Sequence, residues 1–196
     1  MEIFWNTKHT NNESWWISSG ISGEEILNTH KLNIHDLKNL DILDIGIGAG
    51  NLTKHLNANK CNVYSCDISK KALEKVKNFS KTYSTENLKN IPPVDIAICN
   101  LVFQHCDDSE VERIINDVNL KECGFFTFQF AYLRRDEEPS EYVKSNIKNK
   151  THYFRSKQSV IEIISRSNKK MLQVLDDVHY YENENFSWAI FRVSNK

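Results

Sequence analysis

Short apolar runs alternate with amphipathic runs along the chain after residue 30. The apolar runs are of strand length, and they predict strands at residues 40–45, 62–66, 94–100, 123–130, 171–178 and 186–193. Residues 82–88 predict a weak third strand and a loop. The amphipathic runs predict a helix over residues 51–59 and further helices that begin at Ser69, Ser109 and Ser156. Strands that alternate with helices favour a parallel sheet with helices on both faces.

Three segments depart from this alternation of strands and helices. No helical run separates the last two predicted strands, so they must pair as an antiparallel hairpin, with a turn at residues 182–185. Residues 134–149 are polar and charged, and we interpret them as a loop or a helical insertion. Aromatic and polar residues at the N-terminus lead into a helix over 23–30. The length of 196 residues suits a single α/β domain with three layers.

The turn after the first strand carries the chemistry. Residues 43–53 read LDIGIGAGNLT, so three glycines separate the strand from the next helix. Glycine tolerates positive φ, and the helix N-terminus offers free N–H groups to a carboxylate. Asp67 closes the second strand 17 residues after Gly50, where its carboxylate can accept both hydroxyls of a ribose. The alternatives are a tight turn without a ligand and a nicotinamide cofactor site.

The glycine spacing is D-x-G-x-G-x-G, not the G-x-G-x-x-G of dinucleotide-binding proteins. It resembles the first motif of class I methyltransferases, whose cofactor is S-adenosylmethionine (SAM). The resemblance implies a mostly parallel seven-stranded sheet with an antiparallel C-terminal hairpin. It places Asp44 on the methionine amino group and Asp67 on the ribose. The other contacts that it implies are Gly46, Gly48 and Gly50 around the methionine and sugar, and Ile68 against the adenine.

Two later segments extend the resemblance. Residues 94–105 are similar to the family's fourth-strand segment, where Asn100 and Leu101 would line the methionine side of the cofactor. Residues 153–154, before the helix at Ser156, are similar to the segment that precedes the family's closing hairpin.

The adenine contact departs from the family pattern. Related enzymes often carry Asp after the third strand to bind the adenine amino group. Here Ser84 or Thr85 stands at that place, so Glu86 or a backbone carbonyl would have to substitute. We therefore assign Thr85 and Glu86 to the adenine side of the site.

Two histidines are candidates for a general base, because a hydroxyl nucleophile must lose its proton and imidazole titrates near neutral pH. His105 follows the fourth strand, at the sheet edge where ligands collect, and is the first candidate. His152 is the second. The alternative for His105 is a structural histidine or a contact of the cofactor loop, and the alternative for His152 is a histidine in a surface loop. Asp107 and Asp108 could bind a divalent cation, but acidic residues are equally expected at a helix entry, and we predict no metal.

The acceptor side is predicted from aromatic and amide side chains. Residues 1–30 are interpreted as a lid and acceptor segment, and residues 31–196 as the SAM-binding domain, because in related enzymes the N-terminal segment folds over the cofactor. Ordinary packing is the alternative for these aromatic residues. The candidate acceptor contacts are Trp5, Trp16, Gln129, Tyr132 and Tyr153.

Charge and cysteine content limit the classes of binding partner and the cellular location that we expect. The chain has 25 basic and 26 acidic residues, so no charge surplus favours nucleic acid or an anionic membrane. Five cysteines without a C-x-x-C pair, and the lack of a signal-peptide pattern, indicate a cytoplasmic protein. We expect O-methylation of a small polar acceptor, a hydroxyl of a sugar or sugar-containing metabolite. Methylation of nucleic acid or protein, and SAM binding without turnover, remain the alternatives.

Overall fold

A computed structural model describes residues 2–10, 21–133, 143–147, 150–176 and 186–196. Its strands are β1 (Asp41–Ile45), β2 (Asn62–Asp67), β3 (Lys81–Ser84), β4 (Val94–Cys99), β5 (Leu120–Leu133), β6 (Val143–Ile147), β7 (Lys150–Phe154), β8 (Lys169–Leu175) and β9 (Phe186–Asn195). Its α-helices are α1 (Glu2–Thr10), α2 (Gly23–Thr29), α3 (Asn51–Ala58), α4 (Lys70–Val76), α5 (Asp108–Asp117) and α6 (Lys157–Arg166).

Seven strands form one mixed sheet in the order β3-β2-β1-β4-β5-β9-β8. The first five in this order are parallel, whereas β9 runs antiparallel to both β5 and β8. This topology confirms the predicted α/β fold with a mostly parallel seven-stranded sheet and an antiparallel C-terminal hairpin. The order reverses between β1 and β4, so the loops after these two strands diverge and leave a crevice at the carboxyl edge of the sheet.

The two faces of the sheet bury separate apolar clusters. The face toward α2 and α3 packs Ile42, Val63 and Ile98 against both helices. The face toward α5 and α6 carries an aromatic cluster that includes Phe126 and Phe128. Parallel strands buried on both faces consist of nearly continuous apolar residues, which explains the apolar runs that predicted these strands.

Local capping agrees with the prediction at two helices and differs at a third. Ser69 and Ser156 cap α4 and α6 as predicted. The prediction that Ser109 begins α5 is wrong, because Asp107 is the N-cap and accepts the Glu110 N–H at 2.9 Å. Ser109 instead donates its hydroxyl to Asp107 at 2.7 Å. A carboxylate at this position accepts both donors and also complements the helix dipole.

The prediction of a loop or helical insertion over residues 134–149 is wrong for part of that segment. Residues 143–147 form β6, which pairs antiparallel with β7 in a separate two-stranded sheet. Residues 134–142 and the predicted turn at 182–185 lie outside the described residues. A short polar strand has no apolar alternation to reveal it, so its pairing depends on the neighbouring strand. Within the described residues, no helix is both long and apolar enough to cross a bilayer.

Replacing the cap of α5 tests this helix boundary. We expect Asp107→Ala to lower the free energy of unfolding by about 1 kcal/mol, because two backbone N–H groups of the first turn lose their acceptor. Ser109→Ala is the matched control and should cost less, since Ser109 donates to the cap without being one. Urea denaturation measures both. A larger loss for Ser109→Ala would contradict the boundary.

Candidate active site

The turn between β1 and α3 is built from three glycines with positive φ, which is +74° at Gly46, +54° at Gly48 and +80° at Gly50. Packing also excludes larger side chains at two of them. A Cβ on Gly46 would lie 2.1 Å from Val102 Cγ2, and one on Gly50 would lie 2.4 Å from Val76 Cγ1. The loop after β4 and helix α4 therefore close directly onto this turn, which only glycine permits.

Asp44 lies beneath the turn as a buried carboxyl group, with 4% of the residue exposed. The Thr53 hydroxyl, from the first turns of α3, donates to Asp44 Oδ2 at 2.7 Å and lies 2.9 Å from the Ser65 hydroxyl. Burial raises the pKa of Asp44 to about 7, against the opposing effect of the Thr53 hydrogen bond. A buried carboxyl group with one polar partner is suited to receive a cationic amino group.

Asp67 joins the glycine turn to the start of α4. Its Oδ1 accepts the Ser69 N–H at 2.7 Å, and backbone N–H groups of Ile47, Gly48 and Ile68 also bond to the carboxylate. Burial raises the pKa of Asp67 to about 6, while these backbone bonds act in the opposite direction. The carboxylate is thereby fixed at the tip of β2, beside the glycine turn, where the sequence places the ribose contact.

The adenine-side candidates lie around the adjacent ends of β2 and β3. Asp67 pairs in register with Ser84, so Ile68 and Thr85 follow two neighbouring strands. Arg113 donates to the Thr85 carbonyl at 3.2 Å. Glu86 follows Thr85 and is exposed.

A buried histidine that the sequence analysis missed supports the end of β4. His30 Nε2 lies 3.2 Å from Asn100 Oδ1, and Nδ1 lies 2.9 Å from the Thr127 hydroxyl. Since an amide oxygen only accepts, Nε2 carries the proton. Burial lowers the pKa of His30 to about 4, so the ring is neutral. No pattern in the sequence indicated His30, because its partners lie 70 and 97 residues away.

Helix α1 covers the same sheet edge. The Trp5 and His105 rings meet edge-on with centroids 5.3 Å apart. Further along the helix, Asn6 Oδ1 accepts the Ser69 hydroxyl at 2.8 Å. The helix thus extends from the loop after β4 to the start of α4, and it brings together two candidates that the sequence had placed in separate segments. Trp16 lies outside the described residues.

The structure separates two acceptor candidates that the sequence grouped together. Gln129 points toward the α2 face, is fully buried, and neither of its amide atoms has a hydrogen-bond partner in the described part of the chain. Tyr132 belongs to the cluster on the opposite face, where Lys157 Nζ lies 4.5 Å from its ring centroid. Tyr153 on β7 lies beside the Arg155 guanidinium, 5.5 Å from ring centroid to carbon. The side chain of His152 lies outside what the structure describes.

The two acidic residues considered for a cation are engaged otherwise. Asp107 caps α5, and Asp108 Oδ1 accepts from Arg155 Nε at 2.7 Å. Among the described residues, no three metal-ligating side chains cluster together.

A family model described as a methyltransferase domain matches residues 42–120, which extend from β1 to the first residue of β5. Residues 42–120 therefore form a methyltransferase domain, which confirms the predicted resemblance to class I SAM-dependent methyltransferases. The cofactor of this family is SAM, which confirms the prediction from the glycine motif and the two carboxylates. No curated protein sequence matches the chain.

Solved methyltransferase structures share the fold. The 1,6-didemethyltoxoflavin-N1-methyltransferase of Burkholderia thailandensis superimposes with a TM-score of 0.71 at 11% identity, over 97% of this chain and 84% of that one. A SAM-dependent methyltransferase from Clostridium acetobutylicum gives 0.64 at 16% identity, over 96% and 98%. The magnesium protoporphyrin IX methyltransferase of Synechocystis gives 0.62 at 16% identity, over 89% and 83%. At these identities the similarity shows a common architecture and leaves the acceptor open.

The buried carboxyl group of the methyltransferase domain should make stability depend on pH. In the unfolded chain Asp44 ionises near its ordinary pKa of 3.8, whereas the folded protein holds the proton to about pH 7. The stability that this group contributes is therefore present below about pH 4 and is lost as the pH rises toward 7. Asp44→Asn keeps an oxygen acceptor for Thr53 but does not titrate. We expect its stability relative to wild type to increase between pH 4 and 7, by on the order of 4 kcal/mol.

Urea denaturation of the cofactor-free protein at several pH values measures this difference. Using the difference between variant and wild type cancels the contributions of the buried histidines, which act in the opposite direction. The exposed Asp36→Asn is the control and should show no such trend. A constant difference between Asp44→Asn and wild type would contradict the buried, protonated state.

The unpartnered amide of Gln129 should cost stability. We expect Gln129→Met, of similar volume, to raise the free energy of unfolding by about 1–3 kcal/mol, because two buried polar atoms without partners are removed. Thr127→Val, two residues away on the same face, should lower it, since His30 Nδ1 would lose its partner. Thermal and urea denaturation measure both. Loss of stability in Gln129→Met would mean that the amide is already satisfied.

Proposed function

We propose that the methyltransferase domain transfers the SAM methyl group to a hydroxyl of a small polar acceptor, a sugar or a sugar-containing metabolite. The observation that carries this proposal is the contact between Trp5 and His105 at the carboxyl edge of the sheet. This contact brings an imidazole and an indole together at the loop after β4, and Val102 of that loop packs against Gly46 of the glycine turn.

The residues around the glycine turn fit SAM. The carboxyl group of Asp44 would hold the methionine amino group, and Asp67 would hold the ribose hydroxyls. Gly46, Gly48 and Gly50 would let the cofactor approach the backbone, with Ile68, Thr85 and Glu86 on the adenine side and Asn100 and Leu101 on the methionine side. When bound, SAM supplies a methyl group that is already activated on a sulfonium. The task left to the protein is to orient the acceptor and to accept its proton.

His105 is the residue that we propose as the general base. Its imidazole would take the hydroxyl proton of the acceptor as the nucleophile attacks. The ring follows β4 in a 3₁₀ turn, Phe103–His105, next to the segment that would line the methionine side. Trp5 covers the ring from α1 and would exclude water, which strengthens hydrogen bonds within the site. His152 remains the second candidate.

Residues 1–30 are proposed as the lid and acceptor segment, of which α1 is the part that touches both sides of the crevice. The Trp5 indole and the Tyr153 ring on β7 suit a sugar, because the C–H groups of a sugar pack on aromatic rings. Gln129 is fully buried with an unused donor and acceptor, which supports a role in binding a hydroxyl. Tyr132 would contribute from the opposite face. The Burkholderia methyltransferase was solved with the small molecule 1,6-didemethyltoxoflavin, which agrees with a small acceptor here. Four buried free cysteines support a reducing, cytoplasmic location.

Replacing His105 tests the proposal. Acceptors are first screened with wild type by release of S-adenosylhomocysteine, with sugars and nucleotide-linked sugars as the panel. We expect His105→Gln to lower kcat about 10²–10⁴-fold on the best acceptor, because the base is lost. Calorimetric affinity for SAM should stay within about twofold of wild type by the same argument, because the base does not hold the cofactor. The exposed His35→Gln is the matched control and should retain full activity.

A second variant tests the binding of SAM separately from the role of the base. Asp67→Asn should weaken SAM binding at least about tenfold, since an amide replaces the carboxylate that accepts both ribose hydroxyls. Unchanged kcat in His105→Gln would exclude His105 as the base. Unchanged SAM affinity in Asp67→Asn would reject the ribose assignment and leave the assignment of the base intact.

A further inference from the structure

Among the described residues, Arg155 is the largest charged side chain that is fully buried. Its side chain is 0% exposed, whereas its ion-pair partner Asp108 is half exposed. A buried guanidinium paired with a carboxylate is costly unless its other N–H groups are also satisfied. The way in which Arg155 satisfies them is therefore informative.

Two further bonds of Arg155 go to the backbone on both sides of His105. Nη1 donates to the Phe103 carbonyl at 3.3 Å, and Nη2 donates to the Cys106 carbonyl at 2.7 Å. Nε donates to Asp108 at 2.7 Å, at the start of α5. The planar guanidinium thus bonds to Phe103 and Cys106, on either side of His105, and to Asp108 at the start of α5.

Two aromatic rings among the described residues lie close to the guanidinium. Its central carbon lies 5.2 Å from the centroid of Phe130 on β5 and 5.5 Å from that of Tyr153 on β7. Arg155 itself follows β7 directly and precedes the Ser156 cap of α6. The turn that carries His105 is therefore anchored to the sheet core and to the small β6–β7 hairpin through one side chain.

We propose that Arg155 is a positioning residue for His105, which it acts on through the backbone of the Phe103–His105 turn. This inference rests on the proposed role of His105 as the base. A planar fork is needed because three donors must point at three acceptors at once, and the point charge of lysine cannot reproduce that geometry. Arg155 consequently holds the β6–β7 hairpin and His105 in one arrangement.

The contacts of a second arginine show what a purely structural pair looks like here. Arg166 on α6 bonds to Glu112 on α5 at 3.2 Å, and both side chains are partly exposed. This pair joins the same two helices as the Arg155 region but makes no bond to the turn around His105. Arg166→Lys is therefore the matched control for Arg155→Lys.

Nuclear magnetic resonance of the imidazole groups tests the proposal without an acceptor. The chain has seven histidines, and the His105 signal is assigned from its loss in His105→Gln. We expect Arg155→Lys to broaden or split the His105 carbon–proton signal and to weaken the contact between the Trp5 and His105 rings. Arg166→Lys should leave both unchanged. SAM affinity, measured by calorimetry, should stay within about twofold in either variant, because neither arginine is among the proposed cofactor contacts.

Asp108→Ala keeps the test informative if Arg155→Lys does not fold. It removes the acceptor of Nε and leaves the two carbonyl bonds, so the same broadening should appear in a milder form. A His105 signal with wild-type position and width in a folded Arg155→Lys or Asp108→Ala variant would overturn the proposal. So would an equal change in Arg166→Lys. Because the readout is the ring itself, it is independent of whether His105 proves to be the base in the turnover assay.

Discussion

Two carboxyl groups buried against a glycine turn are the constraint on which the site depends. Asp44 and Asp67 lie in the interior, where a charge is costly, and each has polar partners that compensate only in part. Backbone N–H groups from the turn and from the start of α4 converge on Asp67, so the turn, β2 and α4 are joined by one carboxylate. The glycines follow from this arrangement, because Val102 and Val76 occupy the space that side chains would need.

Several basic groups near this centre are either neutral or hydrogen-bonded. Burial lowers the pKa of His30 to about 4, and it does the same for His9, with Lys75 adding to the effect. Arg155 keeps its charge and shares it between a carboxylate and two carbonyls. The two buried imidazoles are therefore neutral, and a carboxylate and two carbonyl partners compensate the charge of Arg155.

The candidate cofactor contacts and the candidate acceptor contacts lie in different parts of the chain. The family model ends at residue 120, after the segment that holds the glycine turn, Asp67 and the end of β4. The acceptor candidates lie outside it, on α1, on β5 and on the β6–β7 hairpin. Structural relatives share the architecture at 11–16% identity although their names give different acceptors. The proposed acceptor contacts therefore lie on elements outside the matched methyltransferase domain.

The sequence alone determined the sheet, the glycine turn and both carboxylates, because apolar periodicity and residue spacing are local properties of the chain. The same local reasoning located His105, Trp5 and Gln129 individually. Only the tertiary structure decided that Trp5 contacts His105, that Gln129 and Tyr132 face opposite sides, and that Asp107 rather than Ser109 caps α5. His30 and Arg155 were out of reach of the sequence, since their partners are 47 to 97 residues away and a lone basic residue carries no periodic pattern. Contacts between distant segments depend on how whole elements pack, and no short stretch of sequence records that.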